Sequence, residues 1–259
     1  MSADSEGGMF GIYLTKSKLK NLNDIDKSPK HIFLDFFNYM LDHGVFFAPS
    51  MYEAGFISSS HLKKDLDYTI KIFESTMAAL NTAQQSIDIS QVNRAVDVLT
   101  QAKSISFFGL GASASVAKDA LNKFFRFNVP VYCFEDVVMQ HMHCTRCDVG
   151  DVVVLFSHTG RTKSLIEMAK VARHNDATVI ALTDLHSPLA SESHINLSSN
   201  VPEDTDLYMP MASRIAQLVI VDILATGFTL RRGPKFKEGL KKVKESLKTL
   251  RLNKTMNHD

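Results

Sequence analysis

The sequence predicts an α/β fold, a doubly wound parallel sheet flanked by helices and preceded by a small α+β segment. Three observations carry that prediction. Five short runs rich in β-branched and apolar residues, Ser104–Phe108, Val129–Phe134, Asp151–Phe156, Thr178–Leu182 and His194–Leu197, recur between about residues 90 and 230. Helical patterns fill the intervals, and alternation of strand with helix is the signature of parallel strands joined by helical crossovers. Two of the runs end in glycine- and hydroxyl-rich turns, Gly109-Leu-Gly-Ala-Ser113 and Ser157-His-Thr-Gly-Arg-Thr162, each of which opens a helix. Such a turn aims backbone N–H groups and short hydroxyls at one point, where the helix N-terminus adds positive potential, so an anion is held without any lysine. Two of them at the carboxyl ends of strands in one sheet make a pocket for a phosphorylated, hydroxyl-bearing small molecule.

The elements follow in order. The first 70 residues are dense in aromatic side chains (Phe10, Tyr13, Phe33, Phe36, Phe37, Tyr39, Phe46, Phe47, Tyr52, Phe56) and read as a short strand, a helix at about Pro29–His43 and two short extended pieces. Ser28 and Pro29 make an N-cap and first-turn pair, and Gly44 stops the helix. A long amphipathic helix at about Leu62–Ser86 joins this block to the rest, followed by a helix at about Val92–Ala102. In the α/β region Ser113 or Ser115 is placed to cap a helix over Val116–Phe127, and Thr162 one over Ser164–Asn175. The expected organisation is therefore a fragment at 1–70, connecting helices at 71–103, a binding domain at 104–230 and a basic helix and tail at 231–259.

Composition narrows the function classes. The 259 residues are 45% apolar and 22% charged, with a formal net charge of +1, so no global field favours nucleic acid or a membrane surface. Met1 to Gly8 lacks the charged-then-apolar order of a signal peptide, no run approaches a membrane span, and the cytoplasm is the expected compartment. Cys133, Cys144 and Cys147 are too few and too clustered for a disulfide framework. In His141-Met-His-Cys-Thr-Arg-Cys147, four ligands within seven residues cannot readily surround one tetrahedral ion, so the segment reads as a helix-to-strand connection with buried sulfur and no metal. From Arg231 to Lys254 there are ten basic and two acidic residues, with Phe236, Leu240, Val243, Leu247 and Leu250 at helical spacing: a packed helix with a solvated basic face.

A set of words then points to a family. Asn93-Arg-Ala-Val-Asp-Val-Leu-Thr-Gln-Ala-Lys103, Phe107-Phe-Gly-Leu-Gly-Ala-Ser113, Asn122-Lys-Phe-Phe-Arg-Phe-Asn-Val-Pro130, Ser157 to Thr162, Val201-Pro-Glu-Asp-Thr-Asp206 and Ala225-Thr-Gly-Phe-Thr-Leu-Arg-Arg-Gly233 resemble the sugar isomerase (SIS) domain of RpiR-type transcriptional regulators, over about Lys71–Asn253. The similarity is strongest to the hexose-regulon repressors of that family. It implies a phosphorylated sugar acid as effector, ketodeoxyphosphogluconate in those repressors, and a homodimer, or a mixed dimer with an intact homologue. Residues 1–70 are similar instead to the C-terminal end of glutamate-1-semialdehyde aminomutase, in Gly7-Gly-Met-Phe-Gly-Ile-Tyr13, Met40-Leu-Asp-His-Gly-Val-Phe-Phe-Ala-Pro-Ser50 and Tyr52-Glu-Ala-Gly-Phe-Ile-Ser58. That part carries neither the Schiff-base lysine nor the cofactor domain of the aminomutase, so no pyridoxal phosphate chemistry and no cofactor are expected. Ser50 and Glu53 fall in the segment that faces substrate there. The helix-turn-helix that opens such regulators is absent from the reading, so no sequence-specific DNA binding by this chain alone is expected.

The candidate ligand contacts are Ser113 and Ser157, by turn chemistry and by the family's pattern, with Thr159, Gly160 and Thr162 in the same loop. Gly160 is read as the point where phosphate approaches the backbone. Gly109 and Gly111 make the first turn, and Arg161 is placed to meet a phosphate or carboxylate. The competing reading of the serines is helix capping. Gly109-Leu-Gly-Ala-Ser-Ala114 also fits a dinucleotide fingerprint, with Glu135 and Asp136 where a ribose-binding acid would be, but that fold needs no second hydroxyl-rich turn. Sugar-phosphate isomerisation, with His158, Glu203, Asp204 and Asp206 as acid–base groups, is the alternative to sensing. The aromatic residues Phe33, Phe36, Phe37, Phe46 and Phe47 are expected to leave an exposed apolar patch.

Overall fold

A computed structural model describes residues 2–13, 22–26, 30–58, 60–198, 201 and 212–246. Ser28 and Pro29, Glu203, Asp204 and Asp206, and Leu247 and Leu250 lie outside the described residues. The chain divides into two compact units, Met1–Asn81 and Thr82–Asp259.

In the first unit β1 (Ser2–Glu6) and β2 (Met9–Tyr13) form an antiparallel hairpin across Gly7-Gly8, with Gly7 at φ 58°, the backbone region a two-residue hairpin turn demands. The sequence reading has a single strand here and misses β1. After α1 (Leu22–Asp26), α2 (Lys30–Asp42) ends as predicted at Gly44, φ 76°. Val45 N–H bonds Met40 O at 2.8 Å and Gly44 N–H bonds Leu41 O at 2.9 Å, the paired closure of a Schellman motif. β3 (Gly55–Phe56) pairs with β2. The predicted apolar patch forms only in part. Phe33, Phe36, Phe37 and Met40 on α2 are buried; the Phe47 ring stacks on Phe36 at 5.6 Å and meets Phe10 edge-on at 5.8 Å, and Phe37 meets Phe46 edge-on at 6.1 Å. Phe46 and Phe56 stay 74% and 68% exposed.

The long helix α3 (Lys63–Ser86) precedes α4 (Ile89–Gln101). From there strand and helix alternate: β4 (Ser104–Gly109), α5 (Ala112–Phe124), β5 (Val131–Tyr132), α6 (Val137–Thr145), β6 (Asp151–Phe156), α7 (Lys163–His174), β7 (Thr178–Leu182), α8 (Pro188–Ser191), β8 (Ile195–Asn196) and α9 (Ala212–Ser246). All five strands are parallel, in the order β5-β4-β6-β7-β8. β5 and β8 are shorter than their apolar runs because each is an edge strand with one pairing partner. α6 fills the expected helical interval between β5 and β6, for which the sequence sets no bounds; Asp136 caps it by accepting Met139 N–H at 2.9 Å.

Alternate residues of each strand feed two cores, as the period of two requires. Phe107, Val152, Val154, Phe156, Ile180 and Leu182 face a cluster with Val96 and Leu99 of α4, Val116 and Phe124 of α5, and Leu218, Val221 and Phe228 of α9. Phe108, Val153, Leu155 and Val179 face Leu165, Met168 and Ala169 of α7 with Cys144 and Cys147. α9 breaks at Gly233, φ 78° and ψ −167°, just before Pro234, which cannot donate to the preceding turn. Contrary to the sequence reading, this helix is long and apolar enough to span a membrane: an 18-residue window has mean hydropathy 1.4, and half of that window is buried within the chain.

On the second face, Ser106 is buried and its hydroxyl lies 2.5 Å from His143 Nε2, tying α6 to β4. The rings of Phe108, Tyr132 and Phe134 surround that imidazole at 5.6, 5.1 and 5.5 Å. Burial holds His143 below its ordinary range, opposed by the Asp151 charge. The unfolded chain therefore takes up the proton first as pH falls below about 6.5, and stability contributed by neutral His143 is lost with acidification. His143→Gln should reduce the fall in melting temperature between pH 7 and pH 5. A residual slope should remain from His194, also held low by burial and by Arg173 and Arg94. An unchanged slope in the variant would remove His143 from this account.

Candidate functional site

The register of β4 against β6 sets the site. Gly109 lies opposite Phe156, and Phe156 opposite Leu182, so the chain leaves three adjacent strands at one level. Ser157 N–H bonds Leu182 O at 3.1 Å, which holds the second turn against the end of β7.

At the first turn a Cβ on Gly109 would lie 2.5 Å from Ser113 O, so only glycine lets the chain fold back this closely. Gly111 has φ 57° and is the N-cap of α5, with no side-chain bond to the helix. This corrects the expected capping by Ser113 or Ser115. Ser113 is already inside the first turn, where its N–H bonds Leu110 O at 3.2 Å, and the Ser115 hydroxyl donates to Ala112 O at 2.7 Å. Ser113 is half-buried with its hydroxyl uncommitted to capping.

Thr162 is the N-cap of α7, as predicted, yet its side chain makes no capping bond. Its hydroxyl lies instead 3.4 Å from the hydroxyl of buried Ser157, which accepts Gly160 N–H at 3.2 Å. Gly160 adopts φ 62°. Its carbonyl accepts Leu189 N–H at 3.1 Å, and a side chain there would strike the hydroxyls of Thr183 and Ser187. The side of Gly160 on which a Cβ would project is thus filled by the loop after β7. Thr159 is half-buried and Arg161 is exposed on the same loop.

The loop after β7 was missed. Thr183 and Ser187 are both buried and their hydroxyls stand 3.2 Å apart; Asp184 N–H bonds His158 O at 3.0 Å. Ser187 accepts Ala190 N–H at 3.1 Å and precedes Pro188, a cap and first-turn pair that was readable in the sequence.

The dinucleotide reading finds its acids occupied: Glu135 pairs with Lys118 at 2.9 Å and Asp136 caps α6. Among the described residues no group of three His, Cys, Asp or Glu side chains could hold a metal ion. Burial pushes the Cys144 thiol up to about 12 and the Cys147 thiol up to about 11, which disfavours thiolate ligands. A groove of about 700 Å³ between α4 and α9, lined by Val92, Val96, Val219, Ile223 and Leu230 among others, takes no residue from either loop.

The SIS domain family matches residues 98–227. The chain is 62% identical over 189 residues to the HTH-type transcriptional regulator HexR of Escherichia coli, covering 73% of this chain and 65% of that protein. It is 54% identical over 180 residues to HexR of Pseudomonas aeruginosa, covering 70% of this chain and 63% of that protein, so it spans just under two thirds of these relatives' lengths. Among solved structures, the Vibrio vulnificus NanR protein complexed with ManNAc-6P is 28% identical, with a TM-score of 0.66 over 75% of this chain and 72% of that one. The chain belongs to the SIS domain family.

Proposed function

We propose that the second unit binds a phosphorylated sugar acid between the turns after β4 and β6, as the effector-sensing part of an RpiR-type, HexR-like transcriptional regulator that works in the cytoplasm. One observation carries the reading. Within this unit α4, α6 and α8 are each capped by a side chain (Asp88, Asp136 and Ser187), whereas α5 and α7, the two helices that open at the candidate site, have none. Helix N-termini leave N–H groups that need a partner, and an anion is the partner that the positive end of the helix favours. Ser113, Ser157 and Thr162 add hydroxyls at the same place, with Thr159 and Arg161 at its rim and Gly109, Gly111 and Gly160 shaping the two turns.

Similarity to the HexR transcriptional regulators supports sensing over catalysis, and similarity to the NanR protein complexed with ManNAc-6P supports a phosphosugar ligand. For the first unit we assign no chemistry. Ser50 and Glu53 share a turn in which Glu53 N–H bonds Ser50 O at 3.0 Å and the Ser50 hydroxyl accepts Tyr52 N–H at 3.3 Å. Dimerisation through the SIS domain, with itself or with an intact homologue, completes the proposal.

Ketodeoxyphosphogluconate should raise the melting temperature of the protein by mass action, and its dephosphorylated analogue should not. Ser113→Ala with Ser157→Ala removes two hydroxyls that bond a charged group, each worth about 1.5–3 kcal/mol, so affinity should fall by at least about a hundredfold. An unchanged shift in the double variant would sink the site assignment, and catalytic turnover of an aldose or ketose phosphate would replace sensing with isomerisation.

Operator recognition needs side chains delivered to base edges, commonly by two copies of a docked helix. This chain alone should give no sequence-specific gel shift, and in mixed dimers it should weaken an intact homologue's operator binding. Specific binding by the chain alone, or unchanged affinity despite confirmed mixed dimers, would contradict this.

A further inference from the structure

Arg214 lies in the first turn of α9, and its Nε and Nη2 atoms are buried without a hydrogen-bonding partner among the described residues. These two N–H groups form the side-on edge of a guanidinium, whose spacing matches the two oxygens of a carboxylate or phosphate. Arg214 is half-buried, and leaving two buried N–H groups of a cation unbonded is costly, so the position makes physical sense when an anion completes that edge.

The placement of α9 says where that anion comes from. Gln217, three residues after Arg214, is buried and donates from Nε2 to Leu182 O at 3.3 Å. The same carbonyl accepts the N–H of Ser157. Farther along, Phe228 stacks on Phe127 at 4.7 Å and meets Phe124 at the last turn of α5. α5 begins at the carboxyl edge of the sheet and ends at the opposite edge, so α9 runs the same way. Arg214, about one turn before Gln217, therefore stands at the carboxyl edge, on the face that carries α5 and beside the strand end that holds Ser157.

We infer that Arg214 receives a second anionic group of the ligand, a carboxylate carried by the same molecule whose phosphate occupies the α5 and α7 turns. This rests on the reading of those turns as a phosphosugar site and deepens it. Arg214 selects sugar acids over neutral sugar phosphates, and its Nε–Nη2 edge is the part of the guanidinium that the carboxylate satisfies.

The test is calorimetric titration of the full chain with 6-phosphogluconate, ketodeoxyphosphogluconate and glucose 6-phosphate, for wild type, Arg214→Lys and Arg214→Met. Wild type should bind at least one of the two acids tenfold or more tightly than glucose 6-phosphate. Arg214→Lys keeps the charge without the fork and should shrink that preference severalfold. Arg214→Met should abolish it while leaving glucose 6-phosphate affinity within about threefold, and should raise the melting temperature of the unliganded protein. Equal wild-type affinity for acids and neutral sugar phosphate, selectivity intact in both variants, or a lower unliganded melting temperature in Arg214→Met would overturn the inference and leave the phosphate reading standing. If no phosphorylated compound binds, both fall.

Discussion

The parallel pairing of β4 with β6 is the constraint on which the site depends. Because Gly109 and Phe156 share a level, the chain must leave both strands at the same height, and two separate sequence words become neighbours. A parallel pair is joined by a crossover, so each strand end is followed by a helix start, and both starts face the same edge. On the proposed reading the binding chemistry comes from the backbone, with serine and threonine hydroxyls as supplements, and a chain of near-neutral charge holds an anion without a lysine in either turn.

The helix caps show how the molecule divides its labour. Where α4, α6 and α8 begin, a side chain closes the helix locally, which stabilises the fold and leaves nothing to offer a ligand. At α5 and α7 the nearby hydroxyls turn elsewhere, Ser115 to Ala112 O and Thr162 towards Ser157. The third loop supports the second from behind: Thr183 and Ser187 crowd Gly160, and Gly160 in turn anchors Leu189. The two cores keep these pieces in register, with α9 and α5 on one face and α7 on the other.

Strand periodicity made the sheet legible, since Val152 to Phe156 feed both cores and leave no polar position to confuse the reading. Gly44 was equally plain, because a glycine after an apolar helical pattern has one common use. Three things were hidden. α6 carries Cys, His and Gln in place of an apolar stripe, and its packing depends on His143 meeting Ser106 from a distant strand. Ser113 reads as a cap because a capping serine and a serine in the first turn occupy nearly the same place; only the backbone shows that Gly111 is the N-cap. Arg214 had no local signal at all, for its significance lies in a buried guanidinium edge without a partner among the described residues, which is a property of the assembled fold.

The central claim is that the unsatisfied N-termini of α5 and α7 hold the ligand's phosphate. Titration of the isotope-labelled protein with 6-phosphogluconate, followed by backbone amide chemical shifts, reads those groups directly. The account predicts the largest shifts at the amides of Gly111 to Ser113 and Thr159 to Ser164, saturating together with one affinity. Shifts concentrated on Val92, Val96, Ile223 and Leu230, with both turns unmoved, would place the ligand in the groove between α4 and α9 and contradict it.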